Sequence, residues 1–149
     1  MMVLNLSIGL KVNRGLQKLD LSFNDITEVG IASLVAGLRN NVNLKMLALD
    51  TNNFGDKGVE ILAALLREND VIETLTLYNN DIGPAGAASL ASALAVNRGL
   101  KELVLYHNHI GDEGALSIAK VCTSTRDDDE YHGLPFHFLS LTDTFLLLP

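Results

Sequence analysis

Apolar residues recur along this chain in groups, and the groups repeat every 28 residues. Leu16, Leu44, Ile72 and Leu100 open them. Leu19, Leu47, Leu75, Leu103 and Leu21, Leu49, Leu77, Leu105 follow, while Asn24, Asn52, Asn80, Asn108 and Gly30, Gly58, Gly86, Gly114 keep the same step. So many columns in register mark one supersecondary unit copied along the chain. Within a unit the hydrophobic spacing changes. Ile72-Glu73-Thr74-Leu75-Thr76-Leu77-Tyr78 alternates, which predicts a short strand with one face in the core. Asn79-Asn80-Asp81 turns the chain, and the Asn80 amide can both donate to and accept from turn backbone groups, so stacked copies predict an asparagine ladder. Gly83-Pro84 opens a helix, since proline suits the first helical position. Thr27, Asp56 and Asp112 at the equivalent sites suit a helix N-terminus by capping or by charge. The Gly86 column is expected to let the first turn approach the strand backbone. Ala87, Leu90 and Leu94, with Ile31, Leu34, Leu38 and Val59, Leu62, Leu66, keep helical spacing and predict the inner helix face. Asn97-Arg98-Gly99 closes the helix.

Strand, loop, helix, loop, strand gives parallel strands joined by right-handed crossovers. Such strands sit ~4.8 Å apart, whereas packed helices need ~8–10 Å. One set of repeats builds both layers, so the stack must bend with its strands inside. The expected class is α/β: a right-handed β-α solenoid with a parallel concave sheet and convex helices.

The pattern Leu-x-x-Leu-x-Leu-x-x-Asn-x-Ile, present at 16–26 and 100–110, resembles the leucine-rich repeat, and the resemblance covers residues 1 to about 122. The length of 28 with a full helix is similar to the ribonuclease-inhibitor type, shared by the C-terminal regions of NOD-like receptors and by Ran GTPase-activating proteins. One cysteine and a uniform period separate the chain from ribonuclease inhibitor itself, and the NOD-like receptor subset is the better likeness. A nucleotide-binding Gly-x-x-x-x-Gly-Lys-Ser/Thr run does not occur in the chain. The resemblance implies a horseshoe segment that binds another protein, as in ligand sensing or autoinhibition by a NOD-like-receptor-type parent. Regulation of a small GTPase, as in the Ran GTPase-activating proteins, is the alternative it implies. A fragment without function of its own is the third reading.

Residues 1–15 read as the back half of a repeat, with Leu6 and Leu10 at helix core positions; four repeats occupy 16–127; 128–149 is an irregular acidic then apolar tail. The chain thus starts in mid-repeat and is expected to be a piece of a longer array, able to self-associate through its uncapped ends. In the tail, Asp127-Asp128-Asp129-Glu130 precedes leucines and phenylalanines that share no column with the repeats. An irregular C-terminal cap, unrelated sequence from an altered splice or reading frame, and a membrane or partner-binding tail all fit that pattern.

Composition narrows the partner. A net charge of −7 opposes attraction to nucleic acid or anionic lipid, and no apolar run reaches the ~18–20 residues of a membrane span. The lone Cys122 excludes an internal disulfide framework and favours a reducing, cytoplasmic setting. It sits in the helix core column of Leu38, Leu66 and Leu94, where a small hydrophobe belongs. No catalytic grouping, phosphate loop or cofactor motif can be assigned, so an enzyme is not expected. His107-x-His109 offers two metal ligands and sequence places no third. What remains is the exposed strand face: Lys18, Asp20, Ser22; Met46, Ala48, Asp50; Thr74, Thr76, Tyr78; Glu102, Val104, Tyr106. Equal spacing makes Tyr78 and Tyr106 neighbours, with His107 and His109 at the same edge. Tyrosine is a frequent interface anchor, so Tyr78, Tyr106, His107, His109, Asp50 and Glu102 are the candidate contacts for a partner protein. Asp20, Asp25, Asp50 and Asp81 bias the rim negative and favour a basic partner face.

Overall fold

The alternating and helical stretches fold as their spacing predicts. The structure is a computed structural model that describes residues 2–123 and 138–140. In chain order the elements are α1 (Met2–Val12), β1 (Lys18–Asp20), α2 (Glu28–Leu38), β2 (Met46–Ala48), α3 (Gly55–Leu66), β3 (Thr74–Thr76), α4 (Pro84–Leu94), β4 (Glu102–Val104), α5 (Gly111–Thr123) and β5 (Phe138–Ser140). The strands form one parallel sheet in sequence order, β1-β2-β3-β4-β5. Leu19 pairs with Leu47, Leu47 with Leu75, and Leu75 with Leu103, so each sequence column is a row across the sheet. Ladder bonding runs past the short strands: the N–H of Thr51 donates to the Tyr78 carbonyl at 2.7 Å and that of Leu77 to Val104 at 2.9 Å.

Sheet and helices bury one continuous apolar core. Leu47, Leu75 and Leu103 of the sheet meet Leu34, Leu62 and Leu90 of the helices, all within 1% of full burial. Leu19 and Leu21, on the outermost strand, are only partly buried. Leu10 is buried, and Leu6 packs against the core.

Parallel stacking leaves turn backbone out of reach of water, and asparagine answers it. Asn80 is fully buried. Its carbonyl accepts from the N–H of Asn52 at 3.0 Å, and its amide donates to the carbonyls of Leu49 and Tyr78 at 3.0 and 3.1 Å. Asn108 repeats the pattern on Asn80 and Ile82. The expected ladder is present. A second one, not read from the sequence, runs through Asn13, Asn41, Asn69 and Asn97, also 28 apart. Asn97 donates to the Leu66 and Asn69 carbonyls of the previous repeat at 2.7 and 2.9 Å, and accepts from Gly99 of its own repeat and from Leu100, which opens the next. It thereby satisfies carbonyls that a helix C-terminus leaves open.

Three local expectations are corrected. A Cβ on Gly114 would meet Ile110 at 2.5 Å and Ala87 at 2.8 Å, so the glycine column makes room for the preceding loop side chain and the neighbouring helix rather than for strand backbone. The Thr27 side chain makes no cap bond. Asp56 and Asp112 do lie in the first turns of α3 and α5, where their charge suits the helix N-terminus, and Asp56 also accepts from the N–H groups of Gly83 and Gly86 at 2.7 and 2.9 Å, capping the helix of the next repeat. Finally, the 28-residue step places no column in the tail, yet Leu139 lies in register with Leu103, 36 residues away. The insertion lengthens the connection and leaves the sheet register intact. The acidic run 127–130 and the rest of the tail lie outside the described residues.

Replacing Asn80 by Ala strands the buried Asn52 N–H and takes one donor each from the Leu49 and Tyr78 carbonyls, which keep their bonds from the Asn52 amide and the Thr51 N–H. It should cost about 2–4 kcal/mol in chemical denaturation, against less than about 1 kcal/mol for Asn24→Ala, whose amide bonds only its own exposed turn. Equal losses would refute the ladder as a stabilising element. Gly99→Ala should likewise destabilise, because a Cβ there overlaps the Asp70 carbonyl, while Gly15→Ala in open space should not.

Candidate functional site

Alternation along each strand turns positions 18, 20 and 22 and their repeats away from the leucine core, onto the face opposite the helices. In the column of Ser22 and Asp50, the last two repeats carry Tyr78 and Tyr106. Their ring centroids are 4.7 Å apart at 43°. His107 closes against both, at 5.1 Å and 83° from Tyr78 and 5.5 Å and 61° from Tyr106. Edge-to-face geometry of this kind is favourable between ring quadrupoles. Both tyrosines are half-buried and His107 is exposed.

Asp50 is tied to this cluster. Its Oδ1 accepts from the Tyr78 N–H at 2.8 Å and its Oδ2 from the Thr76 hydroxyl at 2.9 Å. His109 stands apart, its Nε2 at 3.5 Å from Asp81 on the exposed rim. Glu102 belongs to the other end of the strands, in register with Thr74, whose hydroxyl donates to it at 3.3 Å. Four residues of strand, about 13 Å, separate it from Tyr106. Four of the six candidate residues are therefore linked or adjacent at one edge, and Glu102 is held at the opposite edge.

The rim itself has an unusual backbone. Phe23, Thr51, Asn79 and His107 form one column, and all have positive φ, between 51° and 60°. Left-handed backbone is uncommon outside glycine, and for a bulky or β-branched residue it is an outlier. Neighbouring strands hold it: Phe23 donates to the Asp50 carbonyl at 2.9 Å, and Asn79 to that of Tyr106 at 3.3 Å. The 28-residue step places these four residues in one column, but their types share no chemistry, so the common left-handed backbone is not legible in the sequence. Phe23 is 76% exposed.

A charge row at the strand entrances was also missed, although Lys45, Glu73 and Lys101 alternate in sign at the repeat step. Glu73 reaches Lys101 at 2.8 Å and Lys45 at 2.9 Å. Hydrogen bonds from these two ammonium groups, Lys101 first, hold its carboxyl at about 2, below the ordinary 4.5. Asp20 is also lowered, by the Ser22 hydroxyl and N–H. Burial raises the Cys122 thiol, opposite to what a nucleophile needs; Cys122 is half-buried against the core. Among the described residues no three His, Cys, Asp or Glu side chains converge as a metal requires, and no helix is long and apolar enough to cross a membrane.

Comparison with known proteins accords with this geometry. The sequence pattern described as "Leucine Rich repeat" matches residues 12–35, 40–63, 68–91 and 96–119. The fold is similar to a structure of leiomodin-1 actin-binding site 2, with a TM-score of 0.70 and 23% identity over 81% of this chain and 70% of that one. It is also similar to the tropomodulin C-terminal domain from Caenorhabditis elegans, with a TM-score of 0.72 and 15% identity over 82% of this chain and 76% of that one. No curated protein sequence matches. At these identities the structural likenesses speak to fold.

Because Glu73 has a depressed pKa in the folded chain, its stabilising contribution is full above pH 4.5 and lost as pH falls through about 2. Glu73→Gln should therefore lower the thermal midpoint at pH 6 and converge on the parent near pH 2, with the gap shrinking in high salt. A gap unchanged across that window would show that the two lysines do not act through its charge.

Proposed function

Since the chain belongs to the leucine-rich repeat family, we propose that it is a protein-interaction module whose partner sits on the concave strand face, over Tyr78, Tyr106 and His107. The observation that carries this is the aromatic cluster on the sheet side away from the helices. The same face offers neutral Thr74, Thr76 and Val104 around it, and the surface is held rigid by the ladders beneath. Large, amphipathic rings with few rotatable bonds lose little entropy on binding and anchor interfaces well. The uniform period with a full helix supports the ribonuclease-inhibitor type. A NOD-like-receptor-type parent and regulation of a small GTPase rest on the sequence resemblance alone, as does a cytoplasmic location on the single cysteine. Leiomodin-1, matched at its actin-binding site 2, makes actin the first partner to try.

Photo-crosslinking tests the face. A crosslinker at position 106 should yield protein adducts in cell extract, and one at position 88, exposed on α4, should not. Adducts from 88 with none from 106 would sink the concave-face reading. For actin, pelleting with filaments should be reduced about tenfold or more by combined Tyr78→Ala and Tyr106→Ala, with the circular dichroism spectrum unchanged. Failure to pellet removes actin and leaves the face open to another protein.

A further inference from the structure

The aromatic cluster also carries information about what the partner presents to it, and this inference rests on the concave-face reading above. We propose that the partner contributes an arginine-bearing segment, with a guanidinium laid flat on the outer face of the Tyr78–Tyr106 pair and its N–H groups directed toward Asp50.

Ring spacing excludes one way of holding a cation. Centroids at 4.7, 5.1 and 5.5 Å place the three rings in contact with one another, so no ion fits between them. An encircling cage for a bulky quaternary ammonium is therefore not formed. A flat group can still stack on the outside of the pair, and a guanidinium is planar, weakly hydrated and attracted to the ring quadrupole.

The neighbouring acid supplies the second contact. Asp50 shares a column with both tyrosines and lies one strand from Tyr78, about 4.8 Å away at the backbone. Each of its oxygens accepts one internal hydrogen bond, from the Tyr78 N–H and the Thr76 hydroxyl. A carboxylate has about four acceptor sites, so each oxygen keeps one for an incoming donor, already oriented by the bonds that fix it. Those two bonds position the acid beside the rings.

Charge over the whole face points the same way. The strand-face and rim columns hold Asp20, Asp25, Asp50, Asp81 and Glu102 against one lysine, Lys18. Asp81 is drawn toward His109, while the Ser22 contact stabilises Asp20 as the anion. Such a surface speeds approach of a cationic segment and rejects an acidic one.

The test uses the full isotope-labelled chain and three short acetylated peptides, Gly-Arg-Gly-Arg-Gly and its lysine and citrulline counterparts, titrated by NMR at low salt. Citrulline keeps the shape of arginine and removes its charge. The arginine peptide should shift the amides of Asp50, Tyr78 and Tyr106, and bind about five- to tenfold more tightly than the citrulline peptide. The lysine peptide should fall between them. Tyr106→Leu, which keeps an apolar side chain on the same face, should remove the arginine preference. Equal affinity for arginine and citrulline, or shifts elsewhere than this face, overturns the proposal. Either result leaves the concave-face reading standing, because that reading is decided by the crosslinks from position 106.

Discussion

Stacking identical units buries the turns between them, and a buried turn holds backbone donors and acceptors that water cannot reach. Everything else in this fold depends on meeting that demand at every repeat. The chain meets it with one residue type in two columns. Asn52, Asn80 and Asn108 tie the ends of the strands together, and Asn41, Asn69 and Asn97 tie the ends of the helices. Asparagine carries a donor and an acceptor on one short side chain. It can therefore bond its own turn and the adjacent one at once, which serine or aspartate cannot do with the same geometry. Leucine burial supplies most of the driving force for stacking, but it is non-directional. The amides fix how one repeat sits on the next.

This division explains what the sequence reveals. When units stack in register, a period along the chain becomes a row in space, so Leu19, Leu47, Leu75 and Leu103 could be placed side by side from spacing alone. The pairing of Tyr78 with Tyr106 follows by the same reasoning. The helix-end asparagines at 13, 41, 69 and 97 were as visible as the strand-end ones. They escape a reading that treats Asn97 only as a local helix stop. Contacts that cross between columns are different. Asp56 capping the following helix, and Gly114 making room for Ile110, depend on offsets that are not multiples of the repeat. No period encodes those. The fifth strand is hidden for a related reason: Leu139 meets Leu103 after 36 residues, and a single longer connection erases the column from the sequence while the sheet keeps it.

The candidate site divides along the same line. Membership of the exposed face was legible, because alternation decides which side chains leave the core. The clustering within it was not. Glu102 has the same alternation phase as Tyr106 but belongs to the other end of the strand, where it bonds Thr74. His109 is two residues from His107, and one extra turn residue sends it to Asp81 rather than to the tyrosines. Short-range spacing cannot resolve such differences, since they depend on how sharply the chain leaves the sheet.

That departure is set by the left-handed column. Phe23, Thr51, Asn79 and His107 adopt positive φ although none is glycine. Conformations of this kind cost of order 1–3 kcal/mol each and persist where the surroundings over-determine them. Here the surroundings are the strand-end bonds on one side and the asparagine ladder on the other. Backbone geometry is thus imposed by the neighbours and does not depend on the residue present, which frees the side chain at each rim position to vary. A rigid frame with unconstrained side chains is what recognition of a specific partner requires: the phenylalanine, threonine, asparagine and histidine can each be chosen for what they touch. The ladder that stabilises the interior is also what makes the exposed edge adaptable in chemistry and fixed in shape.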